Sequence, residues 1–456
     1  MTVSPHRRRF LKAGLASIAV GITTRGTQLV AAPPATDLRI AKIDRVTVKV
    51  PFRAAPARNM ARELPHWKYA EIFTVELQSG HRGHGETLLY YTWGVSSDED
   101  VQRAQGKNAA EIMWDDSLGA GLQMACFDAV AKACDVPVHR LLGRQVHDRT
   151  PLSWWNIDTY PEDMASECKE AFRQGYMAYK TKGRPWFDIY DQMDLAVKGV
   201  PPEFKIDMDF NDTLLTAERG MQIIKDLAEY PQTDIYESPI PQGDIPGNKM
   251  IRKATRVKIA MHYGNPAPKI AISEGVCDGF VCGGGASRLI EQANVARMAD
   301  MPFWLQLVGT GITAAFSLHF GAVTSHSTWP AVNCHQLYKH SLLKDPITLT
   351  RGFAPIPTKP GLGHEIDWGL VEQFRVDKPT ERPDPPRLVE VSWPDGRRMY
   401  FNHKRGVNFV LSPCMKVDTK MPYYVRGVKT KLLSDDGSAQ WRSLYEKSLT
   451  EPLLLG

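Results

Sequence analysis

Residues 176–263 decide the fold, because four short apolar runs within them each end in charged or polar side chains. Residues 176–182 close on Lys180-Thr181-Lys182, residues 204–210 on Asp207-Met208-Asp209-Phe210-Asn211, residues 234–237 on Tyr236-Glu237-Ser238-Pro239, and residues 258–261 on Met261-His262-Tyr263. Amphipathic segments of helical period, 164–175, 188–197, 214–229 and 249–256, precede and separate them. The intervals Lys182 to Asp209, Asp209 to Glu237 and Glu237 to His262 are 27, 28 and 25 residues, each the length of one strand-helix unit. Repeated units of this kind predict a parallel sheet covered on both faces, and eight of them close a barrel. In such a barrel the carboxyl ends of the strands form the active-site rim. Alternation by two aims Lys180 and Lys182 the same way, into the mouth. The four strand ends should therefore sit side by side.

Outward from that stretch, residues 38–50 and 70–77 alternate apolar and polar before Ser79-Gly80, as paired antiparallel strands do. Residues 120–133 place Leu122, Ala125, Cys126, Ala129, Val130 and Ala133 at helical spacing. The reading is an α/β fold: a modified (β/α)8 TIM barrel at 151–375, an N-terminal α+β capping domain at 37–150, and a C-terminal extension at 376–456. The extension opens with Pro379, Pro383, Pro385 and Pro386 and continues into an expected hairpin, residues 388–393 and 399–402 around Pro394-Asp395-Gly396.

Residues 1–36 are a different kind of text: Arg7-Arg8-Arg9-Phe10-Leu11-Lys12, a mildly apolar stretch to Val20, then Ala31-Ala32-Pro33-Pro34. That order predicts a signal peptide, and the basic pair before Phe-Leu-Lys resembles the twin-arginine export signal, so a periplasmic or otherwise exported protein is expected. No segment approaches the length of an apolar membrane span. A formal charge of +5 from 56 basic and 51 acidic residues, without a further basic block, leaves no footprint for nucleic acid. Seven scattered cysteines lack the close pairs of a zinc or redox motif and read as small buried hydrophobes.

The barrel charges, Gly83-His84-Gly85-Glu86, residues 121–128 with Leu141-Leu142-Gly143, and Pro360-Gly361-Leu362-Gly363 together resemble the enolase superfamily, in its mandelate racemase and muconate lactonizing branch, over about residues 38–374. The resemblance implies that Asp209, Glu237 and the residue at His262 hold a divalent metal, magnesium in the family, against a substrate carboxylate. It also implies Lys182 as the acid/base, and Lys180 as the neighbour that lowers the other amine's pKa and helps bind the carboxylate. The chemistry asks for these types: an α-proton of a carboxylate is hardly acidic, so its removal needs charge stabilisation on the enediolate and an amine base with a depressed pKa.

His262 stands where the family has a third acid, which opens the metal to manganese, iron or zinc. Gln306 stands where racemases carry a histidine, which disfavours a two-base reaction. The expected function is a lyase that abstracts the α-proton of a small-molecule carboxylate, with dehydration of a sugar acid first. Alternatives are a racemase, epimerase or cycloisomerase of the same family, or a non-catalytic barrel with a degenerate metal site. His319, His326, His335 and His340 are candidate acids, Arg53 and His66-Trp67-Lys68-Tyr69 are candidate substrate-loop residues, and a homo-oligomer is expected.

Overall fold

The computed structural model describes residues 37–91, 94–402 and 423–456. The export-signal residues, and Cys414, lie outside the described residues.

The first sheet is antiparallel, with β1 (Ile40–Lys49), β2 (Tyr69–Leu77) and β3 (Arg82–Leu88) in that order. The helix Ala120–Ala133, nearly all buried, lies across it. Gly83 and Gly85 explain how closely: a Cβ added there would come within 2.1 Å of the Ala125 carbonyl oxygen and 2.0 Å of the Gly121 carbonyl oxygen. Glu86, fully buried one residue further, accepts from the Thr310 backbone and hydroxyl and from Thr313, at the start of the helix Gly311–Val323. A carboxylate there satisfies helix donors that would otherwise be orphaned, and it pins the first sheet to the barrel.

Eight parallel strands follow: β4 (Arg149–Trp155), β5 (Ala178–Lys182), β6 (Lys205–Asp209), β7 (Thr233–Glu237), β8 (Lys258–His262), β9 (Gly279–Cys282), β10 (Phe303–Leu305) and β11 (Ala331–Val332). They neighbour one another in chain order, β11 pairs β4, and a parallel bridge from Gln306 to Val332 joins the end of β10 to β11, closing the barrel. The strands are buried on both faces because helices wrap them. The helix Ala217–Ala228 is representative: Thr216 caps its first turn by accepting from the Arg219 N–H, and Ile223, Ile224 and Leu227 turn inward. A short β12 (Phe353–Pro355) runs antiparallel along β4.

The expected hairpin forms as β13 (Leu388–Ser392) and β14 (Arg398–Asn402), within a four-stranded antiparallel sheet completed by β15 (Lys429–Leu433) and β16 (Leu453–Leu455). Its apolar residues Val389, Val391, Trp393, Met399 and Phe401 share a core with Trp186 and Phe187 of the loop after β5. The six described cysteines are free; five are buried and Cys134 is exposed. Among the described residues no helix is long and apolar enough to cross a membrane.

Candidate active site

Strands β5 to β8 bring their carboxyl ends together at one cavity of about 160 Å³, lined by Lys180, Lys182, Asp209, Asn211, Glu237, His262 and Gln306 together with apolar and aromatic neighbours. All five residues singled out in the sequence therefore meet. Lys182 Nζ donates to Asp209 Oδ2 and, at 3.0 Å, to Asn211 Oδ1. Lys180 Nζ lies 2.5 Å from Glu237 Oε2 and 3.7 Å from Asp209 Oδ2, and 5.2 Å above the Trp304 ring. His262 Nε2 is 2.9 Å from Glu237 Oε1. Both Glu237 contacts are charge contacts without hydrogen-bond alignment.

Local backbone aims these groups. Asp209 Oδ1 accepts from the Asn211 N–H at 2.8 Å, an Asx-turn that holds Asn211 at φ 43°, a left-handed conformation asparagine tolerates. Arg184, fully buried, donates to the Phe210 carbonyl at 3.0 Å and to Asn211 Oδ1 at 2.7 Å. Asn211 Oδ1 thus accepts from two cations at once.

Burial and charge separate the two lysines. Burial would lower both, but Lys180 faces Glu237 and Asp209, which overcome it and hold the ammonium above its ordinary pKa. Lys182 is lowered: burial dominates, Asp209 opposes it, and the neighbouring Lys180 and Arg184 cations add to the lowering. Glu237 is held well below the carboxylate range despite burial, by Lys180 and His262. His262 is raised, since contact with Glu237 outweighs its burial. Asp207, beneath the site, is pushed well up by burial, then by Asp234.

The resemblance implies a three-ligand metal seat made by Asp209, Glu237 and His262. Lys182 is in register with Asp209, Asp209 with Glu237, and Glu237 with Ala260. His262 is two residues beyond Ala260, one layer higher, with its side chain 44% exposed. Among the described residues no three His, Cys, Asp or Glu side chains are grouped to hold an ion. Both carboxylates already face ammonium groups, Glu237 that of Lys180 and Asp209 that of Lys182. Magnesium prefers an octahedral shell of oxygens. The donor set does not fit it, and the chemistry below is built on the chain's own side chains.

Several sequence candidates lie elsewhere. His319 is buried against His139 and the Leu362 carbonyl, with its pKa lowered to about 3 by burial. His335 is buried against the Tyr176 hydroxyl, lowered to about 4. His326 pairs with Asp300, and His340 packs on Phe374. None of the four lines the cavity. Arg53 instead clamps Glu167 with both terminal guanidinium nitrogens and covers the Trp154 ring. Of His66-Trp67-Lys68-Tyr69, only Trp67 reaches the cavity, stacked on Trp155 and edge-on to Tyr91. Sequence reading missed Asn211, Arg184, Tyr91 and Cys334. For Asn211 the signal was present, as Asp209-Phe210-Asn211 repeats the period-two spacing of Lys180 and Lys182. Cys334 lines the cavity as a buried thiol, pushed up to about 12 by burial.

Comparison with known proteins agrees with this architecture. Residues 163–370 match the family described as "Enolase C-terminal domain-like". The chain is 24% identical over 304 residues to a D-gluconate dehydratase of Thermoproteus tenax, a match covering 60% of this chain and 60% of that protein. It is 21% identical over 279 residues to an N-succinyl-L-Arg/Lys racemase of Bacillus cereus, covering 56% of this chain and 71% of the racemase. In structure it resembles the 2-chloromuconate cycloisomerase of Rhodococcus opacus, with a TM-score of 0.61 at 18% identity, over 74% of this chain and all of that one. The fold is that of the mandelate racemase and muconate lactonizing barrels, and residues 163–370 are similar to the C-terminal domain of enolases.

Proposed function

We propose that the protein removes the proton on the carbon next to a substrate carboxylate, and that the reaction is dehydration of a small sugar acid. The observation that carries this is the pair Lys180 and Lys182, buried side by side at one strand end, with opposite pKa shifts and a shared cavity. Lys180 stays cationic and draws the substrate carboxylate and the enediolate charge. Lys182, its charged form disfavoured, takes the α-proton on Nζ. His262, raised and partly exposed at the mouth, donates a proton to the departing β-hydroxyl. The C–H electron pair becomes the new C=C bond, the C–O bond breaks, water leaves, and the enol product relaxes to a 2-keto acid. A cavity of about 160 Å³ is smaller than pockets for drug-sized ligands and suits a short acid, not a polymer.

Racemisation is less well served, because it needs a second base and Gln306 is an amide that takes no proton. A barrel that binds a carboxylate without turnover is the second reading, favoured by the missing three-ligand group. Incubating the protein with a panel of aldonates and aldarates in heavy water decides between them. Loss of the α-proton signal, with a 2-keto acid trapped by semicarbazide, supports the lyase; binding without exchange supports the second reading. On Arg8-Arg9-Phe10-Leu11-Lys12 we further propose export by the twin-arginine route.

A further inference from the structure

The C-terminal extension reaches the segments that follow the strands carrying the candidate catalytic groups, and one of its hydroxyls bridges two of them. Tyr424, 6% exposed, places its hydroxyl 2.7 Å from Thr213 Oγ1 and donates at 3.1 Å to the Gly183 carbonyl. Thr213 Oγ1 in turn reaches the Gly183 carbonyl at 3.0 Å and the Phe210 carbonyl at 2.6 Å. Gly183 follows Lys182 directly, and Phe210 lies between Asp209 and Asn211. The small network of two hydroxyls and two carbonyls therefore ties the end of β5 to the end of β6, next to the atoms that hold the Lys182 amine.

The neighbourhood leaves little room for another arrangement. Gly183 has no space for a side chain, since a Cβ would come within 2.7 Å of the Phe210 ring, which meets Tyr424 edge-on. Tyr424 is held at φ 50°, a region bulky residues avoid and that persists only where surroundings fix it. Its neighbours fasten the same strap: Tyr423 donates to the Leu214 carbonyl at 2.7 Å, the Gly427 N–H to Asp188 Oδ2 at 2.6 Å, and Thr430 to the Trp186 carbonyl. Every one of these contacts lands on the segments after β5 and β6.

We propose that Tyr424 is a positioning residue that sets the Lys182 amine between Asp209 and Asn211, so that the C-terminal extension completes the active site. For catalysis this rests on Lys182 being the base, as above. Tyr424→Phe removes the hydroxyl and keeps the ring; Thr213→Val removes the other hydroxyl, and Thr213→Ser restores it. In the full chain, Tyr424→Phe and Thr213→Val should each lower kcat for the acid found in the heavy-water screen by about tenfold or more with KM little changed, while Thr213→Ser stays near wild type. A second readout needs no substrate: the rate at which acetic anhydride modifies Lys182, relative to the exposed Lys107, mapped by mass spectrometry. It should change several-fold in both variants and return in Thr213→Ser. If no acid reacts with the wild type, the lyase reading fails while the acylation rate still decides the positioning role. Should Tyr424→Phe fail to fold, Thr213→Val and Thr213→Ser carry the test. Unchanged relative acylation of Lys182 in the folded variants overturns the proposal.

Discussion

Glu237→Gln tests the electrostatics of the site without any substrate. Glu237 is 1% exposed, 2.5 Å from Lys180 Nζ and 2.9 Å from His262 Nε2. The amide keeps the shape and removes the charge, leaving Lys180 with Asp209 at 3.7 Å as its nearest carboxylate. Breaking a buried pair from one side costs about 3–5 kcal/mol, and the remaining Asp209 places the loss near the lower end, about 3 kcal/mol. Its pH dependence follows from two opposite shifts. Glu237 is depressed in the folded state, so its contribution is complete above the ordinary glutamate pKa of about 4.3 and is lost as pH falls through the folded value. His262 is raised, so its share is complete below about pH 6.5 and is lost as pH rises through the folded value. The gap in stability between wild type and Glu237→Gln is thus largest between about pH 4.5 and 6.5. Above the raised His262 value it narrows to the Lys180 share, and it shrinks as pH falls toward the depressed Glu237 value. Scanning calorimetry of both proteins side by side across that range reads the gap directly. A gap that is flat with pH, or below about 1 kcal/mol throughout, would refute the charge arrangement described here.

Lys182→Ala should reduce exchange of the substrate α-proton with solvent deuterium by about a hundredfold or more while the protein stays folded, and normal exchange removes Lys182 as the base. His262→Glu adds a carboxylate beside Glu237, so calorimetric titration with magnesium chloride should show binding tightened by about tenfold or more over wild type. Stoichiometric magnesium in the wild type, unaltered by the substitution, would contradict the donor argument. Replacing both Arg8 and Arg9 by Lys should leave the precursor inside the cell by fractionation, and continued export defeats the twin-arginine reading.

The rim was legible because strand ends in a parallel barrel are marked by charge inside an otherwise apolar text, and β5 to β8 obey that rule at regular intervals. The limits of the helix Ala120–Ala133 and the hairpin of β13 and β14 were legible for similar reasons, through period 3.6 and a Pro-Asp-Gly turn. Depth was not legible. Spacing along the chain assigns His262 to the rim, but only the register, with Ala260 opposite Glu237 and a shift between Ile206 and Asp207, puts the imidazole one layer higher. Nor does a local pattern say which way a histidine turns, and His319 and His335 turn into the packed interior. Arg184, Tyr91 and Tyr424 were illegible for a third reason: each acts across a distance in sequence that no local pattern spans.

The register and the charges argue together about what this mouth accepts. A layer of Lys182, Asp209, Glu237 and Ala260 contains two acids and presents no third, and the next group up is an imidazole whose pKa is raised by contact with Glu237. Substituting imidazole for carboxylate at the rim removes a negative charge where an anionic substrate would enter, and the raised pKa favours a positive one in its place. With Lys180 held cationic below it, the cavity presents a cation at its floor and an imidazole with a raised pKa at its mouth, and the carboxylates lie between them. An acid entering this cavity meets the Lys180 ammonium, which Glu237 and Asp209 hold charged. That is the physical reason to expect carboxylate recognition here even though the three-acid seat is incomplete.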